Sequence, residues 1–286
     1  MSKNLLQRIA FAGVAIPLTV LIIWQGGWLL AVLLGALGVL GTREVYDLAR
    51  RQGVPPLSWF GYGAALTIPL ATFWAKGSEL HWAEPAIFAG AMWLLLVLAA
   101  AMPARGAAGR PLTAVAVTIF GALYASALPA FLIAIRHGAH AGTRDWKFAW
   151  LVVFPLALTW LCDTAAMAAG SAIGGRKLAP VLSPNKTWAG AVGGLVGAVA
   201  GAFLIGDLIL ARFGWNLTAW QLVTTGVMVG VLGQVGDVAE SLFKREAGVK
   251  DSSSLIPGHG GVLDRLDSLY FVIPASAGLF KLFGIV

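Results

Sequence analysis

The sequence predicts an all-α, polytopic integral membrane protein with about nine transmembrane helices, and three observations lead there. Of 286 residues, 58% are hydrophobic and only 12% charged, whereas roughly a quarter of an average soluble domain is charged. Too little polar sequence remains to cover a soluble fold, and disorder, which needs polar and charged sequence, is excluded with it. Apolar stretches close to the ~20 residues that cross a hydrocarbon core recur nine times along the chain. Finally, the 20 Lys and Arg residues are distributed unevenly about those stretches. With the N-terminus inside, Lys76, Arg136, Arg144, Lys147, Arg212 and Lys281 fall outside and the other fourteen inside. This is the positive-inside pattern, so the net charge of +7 reports topology and not a nucleic-acid partner.

The expected spans run near residues 9–25, 28–48, 58–75, 84–102, 112–135, 147–169, 188–211, 219–240 and 266–285. The first follows Lys3 and Arg8 as a signal peptide would. It contains Pro17, however, and lacks a clear small-residue cleavage site, so it reads as an uncleaved span. The third and fourth are the weakest, with Pro69 and Pro85 interrupting them. The fifth and sixth are long apolar runs, and the sixth encloses Asp163. The seventh carries Gly190, Gly193, Gly194, Gly197 and Gly201, a spacing that lets another helix approach closely; packing within the chain is favoured over a dimer seam. Most tryptophans fall near span ends, as in an aromatic belt. The single Cys162 excludes a disulfide framework and a cysteine-rich metal site.

Two charged blocks break the apolar pattern. In the first, residues 160–190, Asp163 sits inside a span, where an ionised acid is costly and marks a functional site by default. The loop after it offers Arg176, Lys177 and Lys186, the neutral donors Ser183, Asn185 and Thr187, and the glycines Gly170, Gly174 and Gly175. Cations, backbone N–H groups and flexible glycines suit a phosphate, although the P-loop order GxxxxGK[ST] is missing. In the second block, residues 236–268, Asp237, Glu240, Ser241 and Lys244 share one helical face. Asp264 and Asp267 share another, and the Gly258–Gly261 turn brings the two acidic segments together. Carboxylates converging there repel one another unless a hard divalent cation intervenes, and oxygen-only ligands favour Mg²⁺ or Mn²⁺. Zinc is disfavoured because His259 has no partner ligand at motif spacing.

Acids with a metal, cations and a glycine turn are the equipment of phosphoryl or nucleotidyl transfer. The four histidines, His81, His137, His140 and His259, make no Ser-His-Asp arrangement, which disfavours a covalent hydrolase. A CTP-using lipid kinase and an ion-coupled transporter are the competing readings. The predicted position of Asp237, Asp264 and Asp267 near the inner span ends argues against the transporter.

The stretch Ser241–Asp267, with S-x-F-K-R, K-D and P-G-H-G-G-x-x-D-R-x-D in order, resembles the C-terminal motif of the phosphatidate cytidylyltransferase (CDP-diacylglycerol synthase) family. Asp163-Thr164 followed by K-L-A-P-x-x-S-P-x-K-T-W and Gly193-Gly194 is similar to a second pattern of that family. The chain departs from it at Met167, where an aromatic is usual, and at Ala189, where an acid or amide is usual. The resemblance implies synthesis of CDP-diacylglycerol and pyrophosphate from CTP and phosphatidate with Mg²⁺, a second cation being left open. It also implies nine spans, a homodimer, and a bacterial inner-membrane location with the active site facing the cytoplasm. Onto this chain it carries Asp237 and Asp264 as metal acids, with Lys244, Arg245, Lys250 and Asp267 beside them as catalytic residues. Asp163, Ser183, Asn185, Lys186, Thr187, His259 and Arg265 become substrate-binding candidates. Residues 1–286 are then one transmembrane domain, in which 1–135 supply scaffold and lipid access and 136–286 carry the catalytic blocks.

Overall fold

A computed structural model describes the backbone of residues 3–77, 83–138, 144–256 and 260–286, with side chains from residue 13 onward in those ranges. Each expected span lies on a helix. The first four are α1 (Lys3–Gln25), α2 (Gly27–Arg51), α3 (Ser58–Lys76) and α4 (Ala83–Arg105). The fifth runs from α5 (Pro111–Ala122) through a π-turn at Leu123–Ala127 into α6 (Leu128–Arg136). Then come α7 (Trp146–Ile173), α8 (Trp188–Leu208), α9 (Ala219–Glu246), the single turn α10 (Leu263–Leu266) and α11 (Leu269–Leu282).

Among the described residues, six of these segments are long and apolar enough to cross a membrane: α2, α4, α5–α6, α7, α8 and α9; α1, α3 and α11 are the expected spans outside that set. In α1 the described side chains begin at Gly13, so only Gly13–Gln25 is counted. Composition and length account for the other two. Helix α3 is diluted by Ser, Thr, Gly, Tyr and Trp and by Pro69. Helix α11 has 14 residues, about 21 Å at 1.5 Å per residue, short of a hydrocarbon core of about 30 Å. The all-α reading gains one exception, an antiparallel hairpin of β1 (Lys177–Ala179) and β2 (Ser183–Thr187) that pairs Lys177 with Thr187 and Ala179 with Ser183.

Helices α7 and α8 leave and re-enter the bundle on either side of that hairpin and press together along the glycine row. A Cβ at Gly190 would lie 2.8 Å from the Ala166 carbonyl oxygen, and Cβ atoms at Gly193 and Gly197 would run into Ala169 and Ala165. The glycine spacing therefore serves packing within the chain. Helix α9 closes on this pair and α11 closes on α9, enclosing a core that includes Phe154, Leu158, Val229, Val272 and Phe280.

The turn from α1 to α2 is closed by residues outside the expected motifs. Arg136, fully buried at the end of α6, donates to the carbonyls of Ile23 and Trp24, both at 2.6 Å. A cation there satisfies carbonyls that a helix end leaves orphaned. His137 follows and accepts from the Gly27 amide at 3.0 Å, which requires a neutral ring nitrogen. Burial first, then Arg136 and Lys76, push the His137 imidazole from 6.5 down to about 4.

Two expectations follow. Gly197→Leu overfills the α7–α8 seam and should cost about 1–3 kcal/mol, measured as a lower unfolding midpoint in detergent. Because the unfolded chain binds a proton to His137 before the folded one does, stability should fall as pH drops from 6.5 toward about 4. Above that window His137 adds no pH dependence. A series of unfolding midpoints against pH, with His137→Gln showing a flatter profile, checks this.

Candidate active site

The first charged block forms one wall of a cavity of about 410 Å³ between α7, the hairpin, α8 and α9, lined by Asp163, Asn185, Lys186, Thr187, Gln234 and Asp237 among others. Helix α7 ends because Gly174 and Gly175 adopt φ of +66° and +92°, a region that side-chain-bearing residues rarely enter. The hairpin turns back from there and sets Lys186 over α9, where its Nζ lies 2.6 Å from Asp237 Oδ2. Asp163 is exposed to the cavity from α7. Thr187 caps α8, its hydroxyl oxygen accepting from the Gly190 amide at 3.0 Å. Asn185 lines the cavity, and Ser183 lies at the hairpin pairing with Ala179.

The apolar run expected to end near 240 continues as helix to Glu246. Asp237 therefore stands nine residues from the end of α9 and Asp163 ten from the end of α7, about 14 Å along the helix axis.

The second block forms a buried network one helical turn farther along α9. Lys244 Nζ lies 2.9 Å from Glu240 Oε1 and 2.7 Å from Asp264 Oδ1. The i, i+4 spacing on α9 supplies the first contact; the segment returning from 250 to 264 supplies the second. The other Asp264 oxygen, Oδ2, accepts from the Ser252 amide, the Ser252 hydroxyl and the Gly261 amide, each at 2.8 Å. Burial alone would raise the Asp264 carboxyl. The Lys244, Gly261 and Ser252 donors outweigh it and hold the group below the usual carboxylate range.

The remaining candidates are arranged around these two sites. Arg245 donates to the carbonyls of Leu182 at 3.2 Å and Val249 at 3.1 Å, tying the end of α9 to the hairpin turn. Lys250 and Arg265 are exposed. Asp267 Oδ1 accepts from the Ser268 amide at 2.6 Å. His259 lies outside the described residues. The expected meeting of Asp237 and Asp264 around one metal takes a different form, since each acid holds its own lysine. Among the described residues no three His, Cys, Asp or Glu groups gather to hold a metal ion.

Sequence reasoning missed two residues. Gln234 lines the cavity, its amide nitrogen donating to the Gly230 carbonyl at 2.7 Å and the Ala191 carbonyl at 3.1 Å; its spacing three before Asp237 was the signal. Glu44 on α2 is 3% exposed and accepts hydrogen bonds from the segment that carries Asp264. The rule that singled out Asp163, an acid inside an expected span, applies equally to it.

These features define a multi-pass membrane protein whose charged side chains gather in and beside a polar cavity. The chain belongs to the cytidylyltransferase family, whose pattern matches residues 6–283. It is 48% identical over 135 residues, 47% of each chain, to the phosphatidate cytidylyltransferase of Brucella suis biovar 1 (strain 1330). It is 44% identical over 133 residues, 43% of each chain, to that of Haemophilus influenzae. To phosphatidate cytidylyltransferase 5, chloroplastic, of Arabidopsis thaliana it is 32% identical over 306 aligned positions, covering 98% of this chain and 72% of the relative. The aligned region spans about half the length of the Brucella relatives.

Removing Lys244 leaves Glu240 and Asp264 buried without their cation. Lys244→Met should therefore destabilise the protein by about 3–5 kcal/mol, read from unfolding of the detergent-solubilised chain.

Proposed function

We propose that the chain transfers the cytidylyl group of CTP to phosphatidate, forming CDP-diacylglycerol and pyrophosphate. The observation that carries this reading is the juxtaposition, within a membrane-embedded helix bundle, of the Asp163–Lys186–Asp237 cavity and the Glu240–Lys244–Asp264 network. Membership of the cytidylyltransferase family and the names of its relatives support the substrate pair.

A phosphate oxygen of the lipid forms a bond to the α-phosphorus of CTP as the bond from that phosphorus to the bridging oxygen of the β-phosphate breaks. The attacking oxygen is already anionic, so the step needs no general base. Lys186 faces the cavity and can accompany the phosphate charge; Lys250 and Arg265 lie exposed on the second block, where the departing pyrophosphate needs counter-charge. Asn185 and the hairpin backbone offer neutral contacts, and the bundle positions a lipid phosphate against the nucleotide.

The oxygen-only donor set of Asp163 and Asp237 fits a hard divalent cation held by one or two carboxylates together with substrate phosphates, the usual manner of Mg²⁺. It does not require a cage made by protein alone. When bound, such a cation would neutralise phosphate charge and orient the phosphates for in-line displacement. Asp237 is the first candidate to hold it, exchanging Lys186 for the metal, with Asp163 on the same cavity. Asp264, the other expected metal acid, would have to give up Lys244, Ser252 and Gly261 to take part. In this reading residues 1–135 provide scaffold and lipid access and 136–286 carry the site. The protein works as a homodimer in the bacterial inner membrane, with the cavity open to the cytoplasm.

The test is purified protein with phosphatidate, labelled CTP and Mg²⁺, assayed for CDP-diacylglycerol and pyrophosphate. Release of CDP in place of pyrophosphate would indicate a lipid kinase. Asp237→Asn should abolish turnover while the protein remains folded in detergent, and normal activity in that variant removes Asp237 from the metal site. Lys250→Ala should lower turnover by weakening phosphate contacts.

A further inference from the structure

Glu44 lies on α2, far in sequence from either charged block, yet its carboxylate is the acceptor for four donors from the segment that follows α9. Oε1 accepts from the Ser253 hydroxyl at 2.7 Å and the Val262 amide at 2.9 Å. Oε2 accepts from the Ser252 hydroxyl and the Leu263 amide, each at 2.8 Å. Ser252–Ser253 and Val262–Leu263 are the two arms of one turn, and a single carboxylate holds both. The fit leaves no slack, because a Cβ at Gly261 would collide with Ser252 Oγ and with both Glu44 oxygens.

The connection to the second charged block is direct. The Ser252 hydroxyl lies 2.8 Å from Glu44 Oε2 and 2.8 Å from Asp264 Oδ2. Its one proton is therefore shared between two acceptors. Asp264 in turn meets Lys244 at 2.7 Å. Glu44 is buried, so the turn's amides and hydroxyls cannot be replaced by bulk water without opening the structure, and an unsatisfied buried carboxylate is costly.

We propose that Glu44 is a positioning residue for the second charged block. From α2 it clamps Ser252–Ser253 to Val262–Leu263 and thereby sets Asp264 against Lys244. It touches neither substrate; it acts through Ser252 and Asp264. The clamp itself rests on the hydrogen bonds alone, and its kinetic consequence rests on the cytidylyltransferase reading above. A residue that merely glued α2 to the bundle would, when lost, loosen the protein everywhere. A clamp releases one turn.

The experiment uses the full chain in detergent, with Glu44→Gln and the double variant Ser252→Ala/Ser253→Ala. Trypsin cleavage after Lys250 is followed beside cleavage after Arg51 and Arg105, and kcat and KM for CTP are measured on the same preparations. Protease attack tracks the population of the locally opened form. Cleavage after Lys250 should rise about tenfold in both variants for a local opening made ~1.4 kcal/mol easier, with cleavage after Arg51 and Arg105 and helical circular dichroism unchanged. The kcat should fall by up to roughly 10²-fold for a catalytic group misplaced by ~1 Å, while KM for CTP holds. Parental cleavage after Lys250 in both variants overturns the clamp whatever the activity does, and so does a uniform rise at all three sites. If Glu44→Gln does not fold, the serine double variant decides alone. Should the parent chain transfer no cytidylyl group, the substrate reading falls, while the cleavage pattern still tests the clamp.

Discussion

Lys244 carries an ammonium group into a bundle of apolar helices, where side-chain exposure is 10% for the lysine, 5% for Asp264 and nil for Glu240. The cost of an isolated charge in such surroundings is large, and it constrains everything nearby. One counter-ion comes from α9 itself, four residues earlier. The other must be brought from across the chain, so the segment after α9 has to fold back and start α10 where Asp264 meets the lysine. Gly260, at φ +79°, and Gly261, which has no room for a Cβ, are consequences of that return. The Ser252 amide and hydroxyl and the Glu44 carboxylate complete the circuit by satisfying what the turn leaves unpaired.

The two charged blocks are thus built on different principles. The second is a buried network in which Lys244 and both Asp264 oxygens are paired, while Glu240 Oε2 has no hydrogen-bond partner among the described residues. The first is open: Asp163 faces a cavity, Lys186 and Asp237 pair across it, and Thr187 is committed to capping α8. The glycine-lined seam of α7 and α8 explains how both can share so small a volume. Small residues on α8 let its backbone approach α7 closely enough that the hairpin between them overhangs α9.

Much of this was legible in the sequence, for reasons that can be stated residue by residue. Apolar runs of sufficient length located the helices because a buried bundle in lipid has no other way to satisfy its backbone. The Glu240–Lys244 contact followed from helical periodicity, and the glycine row of α8 from its four-residue spacing. The hairpin was not legible. Ser183–Thr187 reads SPNKT, with no apolar alternation to announce a strand, and it is held by its partner strand and by the helices on either side. Helix α9 outran its apolar segment because Glu240 and Lys244 pair with each other and Lys244 with Asp264, which hydropathy counts as polar and the structure treats as internal. Glu44 escaped because it stands among Arg43, Asp47, Arg50 and Arg51, which read together as a solvated helix end, and its four donors lie more than 200 residues away.

The Lys186–Asp237 pair has a thermodynamic consequence of its own. With an ammonium 2.6 Å from the carboxylate, the cavity itself contains a matched anion and cation. A metal–phosphate ligand that takes Asp237 through its cation and Lys186 through its phosphate replaces one ion pair by two. Binding is then an exchange of partners in which no bare charge is created at any stage. In the proposed reading the affinity would be set by the difference between old and new pairings, which would favour a ligand that brings both signs of charge.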